Sequence, residues 1–214
     1  MKTIIKGLEP PSLTAHRQQS HSDYDNYEDK AALRHALVTE QRGLCCYCMA
    51  RIQNGPATMK IEHWHCQSRY PDERLSYRNL LGSCRGVEGQ PPHKQHCDTK
   101  KGNCDLKWNP AEPTCYIESR LRYEPDGSIR SDDGEFNAQI EDVLNLNLPL
   151  LKNNRKSVLN AVLNWWQHEK RKRHGSVPRE RFERERNRRI EGEGELEPYC
   201  QVVVWWLEQR LKRI

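Results

Sequence analysis

Leu44-Cys45-Cys46-Tyr47-Cys48 places two thiols, Cys45 and Cys48, at the C-x-x-C spacing from which a tight knuckle can present both sulfurs to one soft cation. A second pair, Cys84 and Cys97, follows within the same stretch. Four cysteines suit the tetrahedral Zn(II) site that small modules with a thin apolar core use to hold their fold, so Cys45, Cys48, Cys84 and Cys97 are the expected structural zinc ligands. Cys46, Cys66, Cys104, Cys115 and Cys200 are left without a role, with Cys104 the first substitute ligand. Buried, unliganded cysteine is the bland alternative, and clustering beside polar turns argues against it.

The rest of the chain is read outward from this cluster. Its 214 residues suffice for one medium domain, and only 35% are hydrophobic against 30% charged, with a mean hydropathy of −1.01. No run has the ~18 apolar residues of a membrane span and the first residues lack a secretory apolar stretch, so a cytoplasmic protein with no membrane partner is expected. Nine cysteines, an odd number, then favour reduced thiols and metal over a disulfide framework.

On the N-terminal side, Tyr27, Ala31, Leu33 and Leu37 predict a helix from Ser22 to Arg42, opened by Asp23 or Asp25 and stopped by Gly43. From Leu44 to Lys107 the helical period vanishes and short extended pieces such as Ala57 to Ile61 take over. Glu112 to Phe136, with the turn Pro125-Asp126-Gly127-Ser128, predicts two short strands in a hairpin. Leu150 to His174 predicts a long amphipathic helix, Pro178 to Ile190 a highly charged one, and Tyr199 to Ile214 a last helix after the linker Glu191 to Glu197. The fold class is therefore α+β and mainly helical. The expected divisions are an arm and helix (1–43), the cysteine-bearing core (44–107), a connector with a hairpin (108–148) and a helical region (149–214).

Between the cysteine pairs lie Glu62-His63 at the end of a β-like run, then Tyr77-Arg78-Asn79-Leu80-Leu81 before Cys84, and Cys97-Asp98-Thr99-Lys100-Lys101-Gly102 closes the segment. In this order the elements resemble the four-cysteine subtype of HNH (ββα-metal) endonucleases. Asp142-Val143-Leu144-Asn145-Leu146-Asn147 leading to Arg155, with the helix before the knuckle, is similar to the PtuB-type HNH effectors of Septu and retron-linked anti-phage systems. The resemblance implies a zinc-stabilised ββα-metal core flanked by helices, an ABC-type ATPase as partner, and a retron reverse transcriptase with its RNA and DNA as a further associate.

It also implies roles. Phosphodiester hydrolysis needs a base for water and a cation at the scissile phosphate. His63 would be the base, Glu62 and Asp98 would hold a catalytic Mg(II) or Mn(II), and Asn79 would brace the loop that presents His63. Hard carboxylates suit those ions as thiolates suit zinc. The closing element departs from the pattern: Asp98 stands where His or Asn is usual, and twelve residues separate Cys84 from Cys97. His96 or His93, carried in that insertion, is therefore an alternative catalytic-metal ligand, and His65 a further candidate.

The basic charge is concentrated: His168 to Ile190 holds ten Lys and Arg against four Asp and Glu. Lys170, Arg171, Lys172 and Arg173, together with Lys101, are the candidate nucleic-acid contacts, and interleaved glutamates beyond Arg179 allow intrahelical pairing instead. Adjacent tryptophans, Trp165-Trp166 and Trp205-Trp206, cannot share one core face, so one of each pair is expected to serve a partner protein. Two other classes compete with a nuclease: a non-catalytic zinc module that binds nucleic acid or a partner, and a redox sensor using Cys45 and Cys48.

Overall fold

The computed structural model describes all 214 residues. Helix α1 spans Pro11–Arg17 and α2 spans Lys30–Glu40. Helix α2 starts eight residues later than Ser22 because Asn26 captures the backbone before it: its Oδ1 accepts from Asp23 N–H at 2.8 Å and its Nδ2 donates to the His21 carbonyl at 2.8 Å. Asp29, and not Asp23 or Asp25, caps the helix by accepting from Ala32 N–H at 3.1 Å. The end is where the sequence put it, since Gly43 adopts φ +74° and turns the chain into the knuckle.

Strands β1 (Met59–His63) and β2 (Leu80–Cys84) form an antiparallel pair with Met59 opposite Cys84 and His63 opposite Leu80. Helix α3 (Cys97–Lys101) packs on β2. The outer edge of β2 is satisfied by side chain and knuckle. Buried Gln41 donates to the Gly82 carbonyl at 2.8 Å and accepts from Gly82 N–H at 2.6 Å, and Cys46 N–H donates to the same carbonyl. Helix α2, the knuckle and the two-stranded sheet are thereby one unit.

The segment after α3 is less extended than its sequence predicts. Residues 113–120 form 3₁₀ turns, with Pro113 starting one and Tyr116 at φ +47° ending it. Only β3 (Arg122–Tyr123) and β4 (Ile129–Arg130) pair, around the expected turn with Gly127 at φ +87°. Asn147 takes both backbone groups of Ile129, and buried Arg155 donates to the Gly127 carbonyl at 2.6 Å and the Leu146 carbonyl at 2.7 Å. Helix α4 (Gly134–Ala138), capped by Asp133, runs on through a wider turn over Gln139–Val143.

Helices α5 (Pro149–Lys172), α6 (Arg179–Ile190) and α7 (Cys200–Leu211) complete the chain, and α7 packs against both of the others. They are tied to the knuckle by Leu196 N–H to the Arg42 carbonyl and Tyr199 N–H to the Met49 carbonyl. Both members of each tryptophan pair make an aromatic contact within the chain, while Trp165, Trp166 and Trp205 stay half-buried. Trp165 meets Phe182, Trp166 meets Trp206 and Trp205 meets Tyr123, each edge-on at 5.7–5.9 Å. Adjacent residues can both make one because α5 and α7 each have neighbours on two sides. No helix is long and apolar enough to cross a membrane.

Candidate functional site

The knuckle is closed by a bridge between Leu44 and Arg51, and Met49 at φ +66° returns its N–H to the Cys45 carbonyl. This turn points Cys45 and Cys48 inward. Cys84 ends β2, and Cys97, at φ +56° with its N–H on the Leu144 carbonyl, begins α3. The four sulfurs lie within 4.8 Å of one another, with Cys48 to Cys84 at 3.7 Å and Cys45 to Cys97 at 3.9 Å. A tetrahedron of sulfurs about 2.3 Å from a zinc ion has edges of about 3.8 Å, so the donor set fits Zn(II).

All four cysteines are buried. Burial opposes ionisation of Cys45, yet hydrogen bonds from the neighbouring thiols hold it well below the usual thiol value, and burial pushes Cys97 well above it. Four thiolates would require a cation at their centre. The fifth to ninth cysteines stand outside the cluster, and Cys104 is exposed. His96, expected as an alternative ligand for the catalytic metal, is instead directed at the thiols, its Nδ1 3.2 Å from Cys97 Sγ and 3.9 Å from Cys84 Sγ. His93 is exposed, and its carbonyl is held by Asn145 Nδ2, which also donates to the Gln95 carbonyl and so fastens the insertion between Cys84 and Cys97.

Glu62 and Asp98 are neighbours close enough that each carboxyl acts on the other's ionisation. Glu62 is sealed from water, accepting from Tyr47 Oη–H at 2.7 Å and from Lys101 Nζ at 2.8 Å. Burial, followed by the Asp98 carboxylate, pushes Glu62 well above the ordinary carboxyl value. Asp98 is held low, against its own burial, by Glu62 and by Lys60, whose Nζ lies 3.0 Å away. The pair offers hard oxygen donors suited to Mg(II) or Mn(II), and in this arrangement Lys60 and Lys101 supply the counter-charge. Lys101 was expected to contact nucleic acid. At 1% exposure it cannot, and its ammonium is spent on Glu62 and on the His63 carbonyl at 3.2 Å.

His63, next to Glu62 on β1, projects to the opposite face of the strand. Its Nε2 lies 3.0 Å from the Arg74 carbonyl, an acceptor only, so Nε2 carries the proton and Nδ1 keeps its lone pair. Burial lowers its pKa, which favours this neutral form, and Tyr24 packs edge-on at 4.5 Å. Asn79 is buried and uses its whole amide: Oδ1 accepts from His65 N–H at 2.7 Å, and Nδ2 donates to the His65 carbonyl at 3.0 Å and the Glu73 carbonyl at 3.3 Å. Arg74, which fixes His63, and Glu73 are adjacent, so Asn79 ties down the turn that orients the imidazole. His65 itself stacks on Tyr70 and pairs with Glu73 at 2.9 Å.

Lys60, Tyr24 and the Arg74 carbonyl belong to this site and were not singled out from the sequence, and Tyr47 was read there only as part of the knuckle. In the C-terminal region Arg173 is engaged by Glu169, while Arg171 and Lys172 are exposed and Lys170 lies over Trp166 at 5.0 Å.

No family model matches the chain. The chain is similar to the Septu protein PtuB of Bacillus thuringiensis, with 31% identity over 81 residues that make up 38% of this chain. The match covers 28% of that relative, well under two thirds of its length. The likeness supports a PtuB-type relationship over that stretch.

Proposed function

We propose that the chain is a metal-dependent endonuclease of the HNH type, hydrolysing nucleic-acid phosphodiester bonds as the effector of a Septu-type anti-phage system together with an ABC-type ATPase. The observation that carries this reading is the tautomer lock on His63. An imidazole whose Nε2–H is fixed on a backbone carbonyl presents a basic Nδ1, and it follows directly on the buried carboxylate Glu62 in a strand of the hairpin framed by four cysteines. The likeness to the Septu protein PtuB supports the defence setting.

In this reading Cys45, Cys48, Cys84 and Cys97 hold structural zinc, and Glu62 and Asp98 hold Mg(II) or Mn(II). The bound divalent cation would supply charge neutralisation at the scissile phosphate and leaving oxygen. His63 Nδ1 takes the proton of the attacking water, and the charge that forms on the ring is shared through Nε2–H with the Arg74 carbonyl. Asn79 keeps that carbonyl in place. The polymer, DNA or RNA including tRNA, is set by residues away from the phosphate chemistry. The site of action would be the cytoplasm, with a retron reverse transcriptase and its RNA and DNA as a further associate.

One observation favours the second reading, a non-catalytic zinc module: Lys101 occupies Glu62 so completely that the carboxylate has a role without a metal. Cleavage of plasmid DNA and of bulk tRNA by the purified chain, alone and with the ATPase, in Mg(II) or Mn(II), separates the two. Cleavage that disappears in His63→Ala with zinc content retained supports the nuclease. Equal cleavage by His63→Ala, or none by the wild type with its partner, supports the binding module.

A further inference from the structure

Several of the basic residues in the helical region are paired with acids beside them. Buried Glu169 takes Arg173 and Arg181, buried Glu185 takes Arg188 and Arg189, and Glu183 takes Arg179. Of the cations left with neither a carboxylate nor a hydrogen-bond partner, which include Lys156, Arg171, Lys172, Arg184 and Lys212, three converge on one groove. Lys170 from α5, Arg210 from α7 and Arg213 just beyond it line an open pocket of about 330 Å³, with Trp166 and Phe182 as its apolar wall and no Asp or Glu in its lining.

The aromatic wall orients the charges. Arg210 lies 4.2 Å from the Trp166 ring centre and 5.1 Å from that of Trp206, and Lys170 lies 5.0 Å from Trp166. Burial and then the neighbouring Arg213 both pull the Arg210 guanidinium below the usual arginine value, so the groove gathers positive charge with no Asp or Glu side chain to offset it. An anion would offset it. A guanidinium backed by two indoles keeps its fork for a tetrahedral oxyanion, and two further cations exceed what a single carboxylate can use.

We infer that this groove is a backbone-phosphate site for a nucleic-acid strand, in which Lys170, Arg210 and Arg213 grip phosphate away from the cleavage chemistry. The inference rests on the reading of the chain as acting on nucleic acid. Lys170 is fifteen residues along α5 from Arg155, which abuts the hairpin, a distance of about 22 Å at 1.5 Å per residue. A contact made by α5 and the end of α7, outside β1, β2 and α3, positions the polymer and is indifferent to its sequence. It also relocates the basic surface expected from sequence: of the run Lys170 to Arg173, only Lys170 belongs to the groove, and its companions come from α7.

The test is fluorescence anisotropy of a labelled RNA hairpin and a labelled DNA duplex, titrated with zinc-loaded full chain over a range of KCl without added divalent metal. Lys170→Gln/Arg213→Gln removes two cations without disturbing the Arg210–indole stack, and Arg171→Gln/Lys172→Gln removes two exposed cations outside the groove as the matched control. The groove variant should weaken binding at least tenfold at low salt and lower the log–log salt slope by about 0.7–0.9 per lost contact, with the control changing little. Equal effects of the two variants, or an unchanged slope in both, would overturn the inference. Wild-type cleavage with an unchanged slope would remove the groove and leave the nuclease standing. A lowered slope with no cleavage under any condition would do the reverse.

Discussion

Lys101 Nζ and Glu62 Oε1 lie 2.8 Å apart with both side chains closed to water, and Lys101 also holds the backbone carbonyl of His63. A buried pair of this kind is costly to break from one side only. Lys101→Met should destabilise the chain by about 3–5 kcal/mol in denaturant unfolding, and Lys101→Met/Glu62→Gln should recover much of the loss because no charge is then stranded. If Glu62 and Asp98 hold Mg(II), added Mg(II) should raise the melting temperature of Lys101→Met more than that of the wild type. An equal response would remove Glu62 from the metal site.

The four thiols make a second, separable claim. One zinc per chain is expected by elemental analysis, and Cys48→Ser should lower both zinc content and thermal stability, as should a strong chelator. Gly86 offers an indirect approach to the same site. It sits at φ +56° and a Cβ there would lie 2.0 Å from the His96 carbonyl, so Gly86→Ala should displace the residue before Cys97 and weaken zinc retention while every ligand remains. Unchanged zinc affinity in Gly86→Ala would mean that the Cys97 turn is not fixed by this contact.

Asn79 reaches the reaction only through the turn it holds. Asn79→Asp keeps the acceptor for His65 N–H and loses both donors, leaving the His65 and Glu73 carbonyls without their partner, at a cost of about 1–3 kcal/mol. In the proposed nuclease, kcat should fall with KM nearly unchanged, since substrate phosphate is not touched by Asn79. A rise in KM at constant kcat would place Asn79 in substrate binding.

How far the sequence could be read depended on whether a residue's neighbours in space were also its neighbours in the chain. Cysteine spacing and the period of Leu151, Leu159 and Val162 carried the thiol cluster and α5, because a ligand knuckle and a helix face are local patterns. The start of α2 was hidden by Asn26, whose amide competes with the helix for the same backbone. Lys101 looks like any surface lysine in Thr99-Lys100-Lys101, and only the packing of α3 on β2 buries it against a glutamate thirty-nine positions earlier. The groove was hidden for the same reason, since Arg210 and Arg213 meet Lys170 only after α7 folds back along α5.

Glu169 provides the clearest pH signature. It accepts from Arg181 and Arg173, and these hydrogen bonds and charges depress its carboxyl to about 2 from an ordinary value near 4.5. A group whose folded value is depressed adds stability above its unfolded value, and that contribution drains away as pH falls toward the folded one. Glu169→Gln should therefore cost about 1–2 kcal/mol at pH 7, because a charge-assisted link between α5 and α6 is lost. The difference between variant and wild type should shrink as pH drops from about 4.5 toward 2, where the native carboxyl itself becomes neutral. Urea unfolding at a series of pH values measures this directly. A difference that stayed constant down to pH 3 would mean that Glu169 contributes by packing, and its arginine partners would then be free to join the phosphate-binding surface.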